Sequence, residues 1–181
     1  MRALLPAVLC VALASCGSSS SANNEASGAA PPGKISLTSD AFAEGQPIPA
    51  QFTCDGTNQS PAIRWSEPPA GTKSFALVVD DPDAPSGTFR HWGTVNIPST
   101  VRSIATGQSV GTPAINDFGK PGYDGPCPPK GHGIHHYHFK LFALDVLLPG
   151  VAGDFKVANL EEEVREHTLE RGELVGTYQR K

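Results

Sequence analysis

Gly133-Ile134-His135-His136-Tyr137-His138-Phe139-Lys140-Leu141-Phe142-Ala143-Leu144-Asp145-Val146 decides the class of this chain. A strand turns successive side chains to opposite faces. On that period His135, Tyr137, Phe139, Leu141 and Ala143 share one side, and His136, His138, Lys140, Phe142 and Leu144 the other. The first side reads as a pocket mouth that runs into a core. Ile134 to about Val146 is therefore predicted as a long strand, with an imidazole and a phenol at its polar end.

Outward from this strand the chain keeps the same character. Ser74-Phe75-Ala76-Leu77-Val78-Val79-Asp80 is a nearly unbroken apolar run, which predicts a central strand covered on both faces. His91–Ile97 reads as a strand that returns after the turn-rich stretch Asp81–Gly87 and stops at Pro98. Ile35–Ser39 alternates apolar and polar, Ala62–Ser66 reads as a strand, and Ile48–Thr53 as a short extended piece between prolines and the Cys54-Asp55-Gly56 turn. Residues 107–131 are rich in Gly and Pro and predict a long ordered loop, of the kind that carries function. A helix is predicted near the C-terminus, with Asn159 as N-cap and Glu161–Glu163 in its first turn. Glu173–Tyr178 fits either a last strand or a short helix. Many short strands with frequent turns predict a mainly antiparallel β domain.

The N-terminus is a different kind of sequence. Arg2 precedes an apolar run, Leu4–Ala14, that is too short for the roughly 20 residues a membrane-spanning helix needs. Residues 1–15 are predicted to be a signal peptide, and Leu13-Ala14-Ser15-Cys16 looks like a lipobox that leaves Cys16 acylated. An ordinary signal peptide cut nearby is the alternative. Residues 16–33 hold Ser, Ala, Asn, Gly and Pro with one charge, Glu25, and cannot bury enough surface to offset their ordering entropy. They read as a flexible tether with a reach on the order of 20–25 Å. The folded domain is then Lys34–Lys181, held at the cell envelope on the exported side of a membrane by its N-terminal lipid.

The formal net charge of −4 and the lack of a Lys/Arg block argue against a nucleic-acid partner. Of four cysteines, Cys10 leaves with the signal and Cys16 is the lipid candidate. Cys54 and Cys127 remain, and in an exported domain two such residues suggest a disulfide, with free or buried thiols as the other possibility.

Three clusters carry the candidate chemistry: Asp81-Pro82-Asp83-Ala84-Pro85-Ser86, His91-Trp92, and the run from Gly125 through Phe139. Four histidines within the last invite a metal site. Strand geometry splits His136 and His138 from His135, and no Cys or Asp stands at zinc spacing, so no metal is expected. His91, His135, Tyr137 and backbone N–H groups of the Gly125–Gly133 loop would instead form a donor-rich nest for an oxyanion. Asp81 would oppose a bare anion but can orient a histidine and favour its cation. The plainer account is that the Asp-Pro stretch is a turn and the histidines are structural.

Taken together, Asp81-Pro82-Asp83-Ala84-Pro85, His91 five residues before Asn96, and Pro128-Pro129-Lys130-Gly131 followed by His135-x-Tyr137 resemble the phosphatidylethanolamine-binding proteins, also called Raf kinase inhibitor-like. Cys54-Asp55-Gly56-x-Asn58-x-Ser60-Pro61 and Asn116-Asp117-Phe118-Gly119 look like the family's bacterial YbhB/YbcL-type branch. The resemblance spans essentially all of Lys34–Lys181. It implies an antiparallel β-sandwich-like fold with a few peripheral helices, and a small pocket for phosphate-like or carboxylate anions, including phospholipid head groups. Carried over position by position, Asp81, His91, Pro129, His135 and Tyr137 would bind the ligand, with Asp83 and Gly125 in support. The function implied is binding without catalysis and without a cofactor. A surface regulator of a kinase or protease, with its own protein partner, is the alternative. A weak hydrolase using Asp81 and His91 comes third, since it lacks a nucleophile. Gly107-x-Ser109-x-Gly111 matches a hydrolase elbow only in spelling, because Pro113 follows where that elbow needs a helix.

Overall fold

In the computed structural model the described residues are 34–149, 151 and 154–181; the signal segment, Cys16 and the tether lie outside them. The elements run β1 (Leu37–Thr38), β2 (Ile63–Trp65), β3 (Ser74–Asp81), β4 (Phe89–Pro98), β5 (Ser103–Ile104), β6 (Thr112–Pro113), β7 (His135–Leu144), α1 (Val157–Val164) and β8 (Thr168–Tyr178). Single 3-10 turns stand at Ala50–Phe52 and Arg165–His167. Two sheets result, a small one ordered β1-β2-β5 and a large one ordered β6-β4-β3-β7-β8, with antiparallel ladders throughout.

β3 sits between β4 and β7, and every one of its residues is buried. That is why its sequence is apolar without alternation. β7 shows the opposite pattern, and its two faces feed two cores. Tyr137, Phe139, Leu141 and Ala143 join Phe75, Leu77, Val79 and Leu174 against Leu37, Ile63, Trp65 and Ile104 of the small sheet. Phe142 and Leu144 join Ala76, Val78 and Val95 against Val157, Leu160 and Val164 of α1. Burying one such side chain stabilises by about 1.5–3 kcal/mol, so the alternation in β7 sets its register. The mainly-β antiparallel expectation holds, with one short α-helix among the described residues.

Several local expectations are corrected. Ile48–Thr53 is not extended: Phe52 and Thr53 donate N–H bonds to Pro49 O and Ala50 O, closing a 3-10 turn that buries Phe52. The α1 helix starts at Val157 with Lys156 at the cap position, so Asn159 lies inside it and the first turn holds no acid. Burial of Val157, Leu160 and Val164 at helical spacing outweighs the capping preference of Asn159. Val157 packs on Gly93 of β4, where a Cβ would come within 2.5 Å of Val157 Cγ2. Of Ile35–Ser39 only Leu37–Thr38 pairs as a strand. Glu173–Tyr178 is the end of a longer strand, and Gly107–Gly131 contains the two-residue β6.

Candidate ligand-binding site

β3 and β7 run antiparallel, so the end of one lies beside the start of the other. Neighbouring carboxylates at the end of β3 take opposite faces. Asp80 turns to the α1 side, where its Oδ2 accepts a 2.7 Å bond from Lys140 Nζ. Asp81 turns to the other, where its Oδ2 stands 2.7 Å from His135 Nδ1 and its Oδ1 accepts the Asp83 N–H at 2.9 Å. The Asp81 and His135 side chains are 3% and 1% exposed. Asp83 in turn accepts both the backbone N–H and Nδ1 of His136, at 2.9 and 2.7 Å, tying the Asp-Pro turn to the first residues of β7. The His136 hydrogen bond holds the Asp83 carboxyl below the usual carboxylate range.

His91 reaches the same place by a bulge. β4 pairs Trp92 with Val79 and Arg90 with Asp80, so His91 is an extra residue between them. A bulge frees backbone groups and re-aims a side chain. Here the freed His91 carbonyl accepts the Asp124 N–H at 3.0 Å and Asn116 Nδ2 at 3.3 Å. The ring Nδ1 lies 2.8 Å from the Asp124 carbonyl, which can only accept. Nδ1 therefore carries the proton. Burial pushes the His91 imidazole below its ordinary pKa, against the opposing pull of the Asp124 carbonyl bond and the Asp81 charge. Neutral His91 offers a lone pair on Nε2.

Asp124 is itself a buried carboxylate, 5% exposed, bonded to Asn58 Nδ2, Asn116 Nδ2 and Lys120 Nζ. The next residue, Gly125, donates its N–H to Asn58 Oδ1 at 2.8 Å, and a Cβ there would collide with the Phe52 carbonyl. That close backbone approach is why glycine stands at this position. A disulfide joins Cys54 to Cys127, two residues on, with Cα atoms 5.4 Å apart.

These elements enclose a cavity of about 330 Å³. Its polar wall is Asp81, His91 and His135; Ala84, Pro85 and Ser86 close one side, Cys127, Pro128 and Pro129 another, and Phe89 with Phe118 a third. Phe118 meets Phe89 and His91 edge-on at 4.8 and 5.5 Å between ring centres. Of the five residues singled out as ligand contacts, Asp81, His91, Pro129 and His135 line this space. Tyr137 does not. It lies fully buried against the His91 ring, 5.2 Å between centres, and its hydroxyl has no hydrogen-bond partner among the described residues. Burial, with Asp81 nearby, pushes that phenol well above its ordinary pKa. Asp83 and Gly125 are not among the lining residues.

The histidines of β7 are divided between carboxylates: His135 with Asp81, His136 with Asp83, and His138 with Glu173 at 2.8 Å. Among the described residues no group of three or more His, Cys, Asp or Glu is arranged to hold a metal ion. Sequence reasoning missed Asn58, Asn116, Asp124, Phe89 and Phe118, although Asn58, Asn116 and Phe118 lie in stretches that carry the family resemblance.

Comparison with known proteins follows the same lines. The sequence model of the family described as "Phosphatidylethanolamine-binding protein" matches residues 38–179. A "UPF0098 protein" of Aquifex aeolicus (strain VF5) is 44% identical over 155 residues, covering 81% of this chain and 89% of that one. A Mycobacterium tuberculosis (strain H37Rv) protein carried under the lipoprotein name LppC is 41% identical over 150 residues, covering 80% and 72%. The crystal structure of E. coli YbcL, titled a new member of the mammalian PEBP family, superposes with a TM-score of 0.77 at 34% identity, covering 82% of this chain and all of that one.

Proposed function

The chain belongs to the phosphatidylethanolamine-binding protein family, and from that membership we propose that it is a binding protein without catalytic activity whose cavity takes a small phosphate-like or carboxylate anion, phospholipid head groups among them. One observation carries this reading: a buried, hydrogen-bonded Asp81–His135 pair in the wall of a cavity of about 330 Å³, with His91 beside it. Small-molecule pockets of roughly 300–1,000 Å³ are mostly apolar with a few placed polar groups. The lining matches that description, and the Tyr137 hydroxyl, buried against His91, has no hydrogen-bond partner among the described residues.

Among the described residues no Lys or Arg lines the cavity, so positive charge for an anion would come from the imidazoles. Neutral His91 presents an acceptor. A bound oxyanion would therefore carry a proton of its own toward Nε2, or protonate the ring on entry. The lipoprotein name of LppC supports a lipid anchor at Cys16 and a place at the cell envelope.

The test is thermal melting of the protein with inorganic phosphate or phosphoethanolamine against chloride at equal ionic strength. A ligand that binds only the native state at about 100 times its Kd stabilises by about 2.7 kcal/mol. His135→Ala and Asp81→Ala should each remove the rise in Tm. A rise that survives both substitutions overturns the proposed site.

A further inference from the structure

Both ring nitrogens of His135 are already engaged. Nδ1 faces the Asp81 carboxylate at 2.7 Å, and Nε2 lies 2.8 Å from Nδ1 of His132, with the two rings edge-to-face at 5.0 Å between centres. With Nδ1 given to Asp81, an oxyanion can meet His135 only at Nε2, by accepting its N–H when the ring carries both protons or by bringing a proton of its own to the lone pair, and His132 Nδ1 already fills that position. His132 is not part of the cavity lining; it is an exposed residue whose ring occupies the one position on His135 that a ligand would need.

The backbone around His132 is built for such a placement. Gly131 and Gly133 both adopt positive φ, 76° and 100°, and a Cβ on either would meet no atom within 4 Å. Space does not require these glycines; backbone conformation does. The turn is fixed at its base, where His132 N–H bonds to Pro129 O and Gly131 N–H to Arg180 O. The ring is held only through its bond to His135 among the hydrogen bonds of the described residues.

We propose that His132 is an internal competitor for the ligand: its imidazole caps His135 Nε2 in the empty protein, and an anion binds by displacing it. The inference rests on the pocket being an anion site. It makes His132 a determinant of affinity, acting through His135. A simple electrostatic role makes the opposite prediction, since losing a histidine that can carry positive charge would weaken an anion's binding.

Calorimetric titration of the full-length protein with inorganic phosphate separates the two. His132→Ala should tighten binding by about two- to tenfold, the effect of removing one competing hydrogen bond of ordinary net strength. His132→Asn, whose amide can replace Nδ1 opposite His135, should return to the wild-type value. Equal or weaker binding by His132→Ala overturns the competitor role and leaves the pocket standing. No binding by either wild type or His132→Ala overturns both. Long-range proton–nitrogen NMR gives a second readout: phosphate should shift the His132 ring nitrogens toward solvent-exposed values, and unmoved signals in a phosphate-saturated protein overturn the displacement.

Discussion

His91 and Asp124 grip each other twice, through a 3.0 Å bond from the Asp124 N–H to the His91 carbonyl and a 2.8 Å bond from His91 Nδ1 to the Asp124 carbonyl. The second bond fixes the tautomer and so decides what His91 can offer a ligand. With its pKa held below the ordinary 6.5 by burial, His91 is neutral at pH 7 in the empty protein. Sulfate, which does not titrate between pH 4 and 8, should therefore bind more tightly as pH falls, by at most about tenfold per unit for one linked proton. The rise ends once pH drops below the His91 pKa of the free protein. Titration calorimetry at pH 5 and 7.5 measures it, and a pH-independent Kd would exclude His91 protonation from binding.

The same shift acts on stability with the opposite sign. A histidine with a depressed native pKa is neutral in the fold and protonates more easily when unfolded. Its contribution is complete above 6.5 and declines as pH falls from there through the native value. In ligand-free protein, His91→Phe should flatten part of the decline of unfolding free energy between pH 6.5 and 5, measured by urea denaturation.

Asp81→Ala leaves His135 Nδ1 without an acceptor in a site where both side chains are almost wholly buried. The loss should be about 2–4 kcal/mol, between that of a lone buried donor and that of a broken buried pair. Asp81→Asn keeps an oxygen in reach and should cost less. Equal urea midpoints for wild type and Asp81→Ala would contradict the pairing.

Gly93→Ala should push α1 off β4, because the new methyl meets Val157 Cγ2 at 2.5 Å. Overpacking of this kind costs about 1–3 kcal/mol. Val157→Ala in the same chain should recover part of it, giving a favourable coupling in a double-mutant cycle.

The Cys54–Cys127 bridge closes a loop with a sequence separation of 73. In the chain-entropy account that is worth about 4 kcal/mol. The double Cys→Ala variant should melt correspondingly lower. For the anchor, palmitate labelling of the full chain in a bacterial host should disappear with Cys16→Ala.

The fold was readable where burial leaves a period. β7 declared itself by alternation, because His136, His138 and Lys140 stay partly exposed opposite a buried face, and β3 by the lack of it, because both of its faces are covered along its whole length. Ile48–Thr53 misled because Pro47 and Pro49 suit an extended chain and a tight turn equally well. The helix boundary slipped because its start depends on Val157 meeting Gly93, a tertiary contact without local signal. The site was legible only in part. Asp81, His91 and His135 came from strand periodicity and the placing of polar groups at strand ends, and Pro129 from the family resemblance. Asp124 and Asn116 bond the His91 carbonyl exposed by a bulge, Asn58 bonds the Asp124 carboxylate and the Gly125 N–H, and Gly- and Pro-rich sequence gives no period from which to read such contacts.

Asp80 and Asp81 are adjacent, yet one carboxylate is neutralised by an ammonium beneath the helix and the other fronts the cavity. A slip of β3 by one residue would exchange them, sending the helix's counter-charge into the cavity and the cavity's carboxylate under the helix. On the proposed function, ligand capture would double as a proofreading signal. A molecule assembled with the wrong pairing would then pass a phosphate column that retains the native one, so affinity retention during refolding would report strand registration directly.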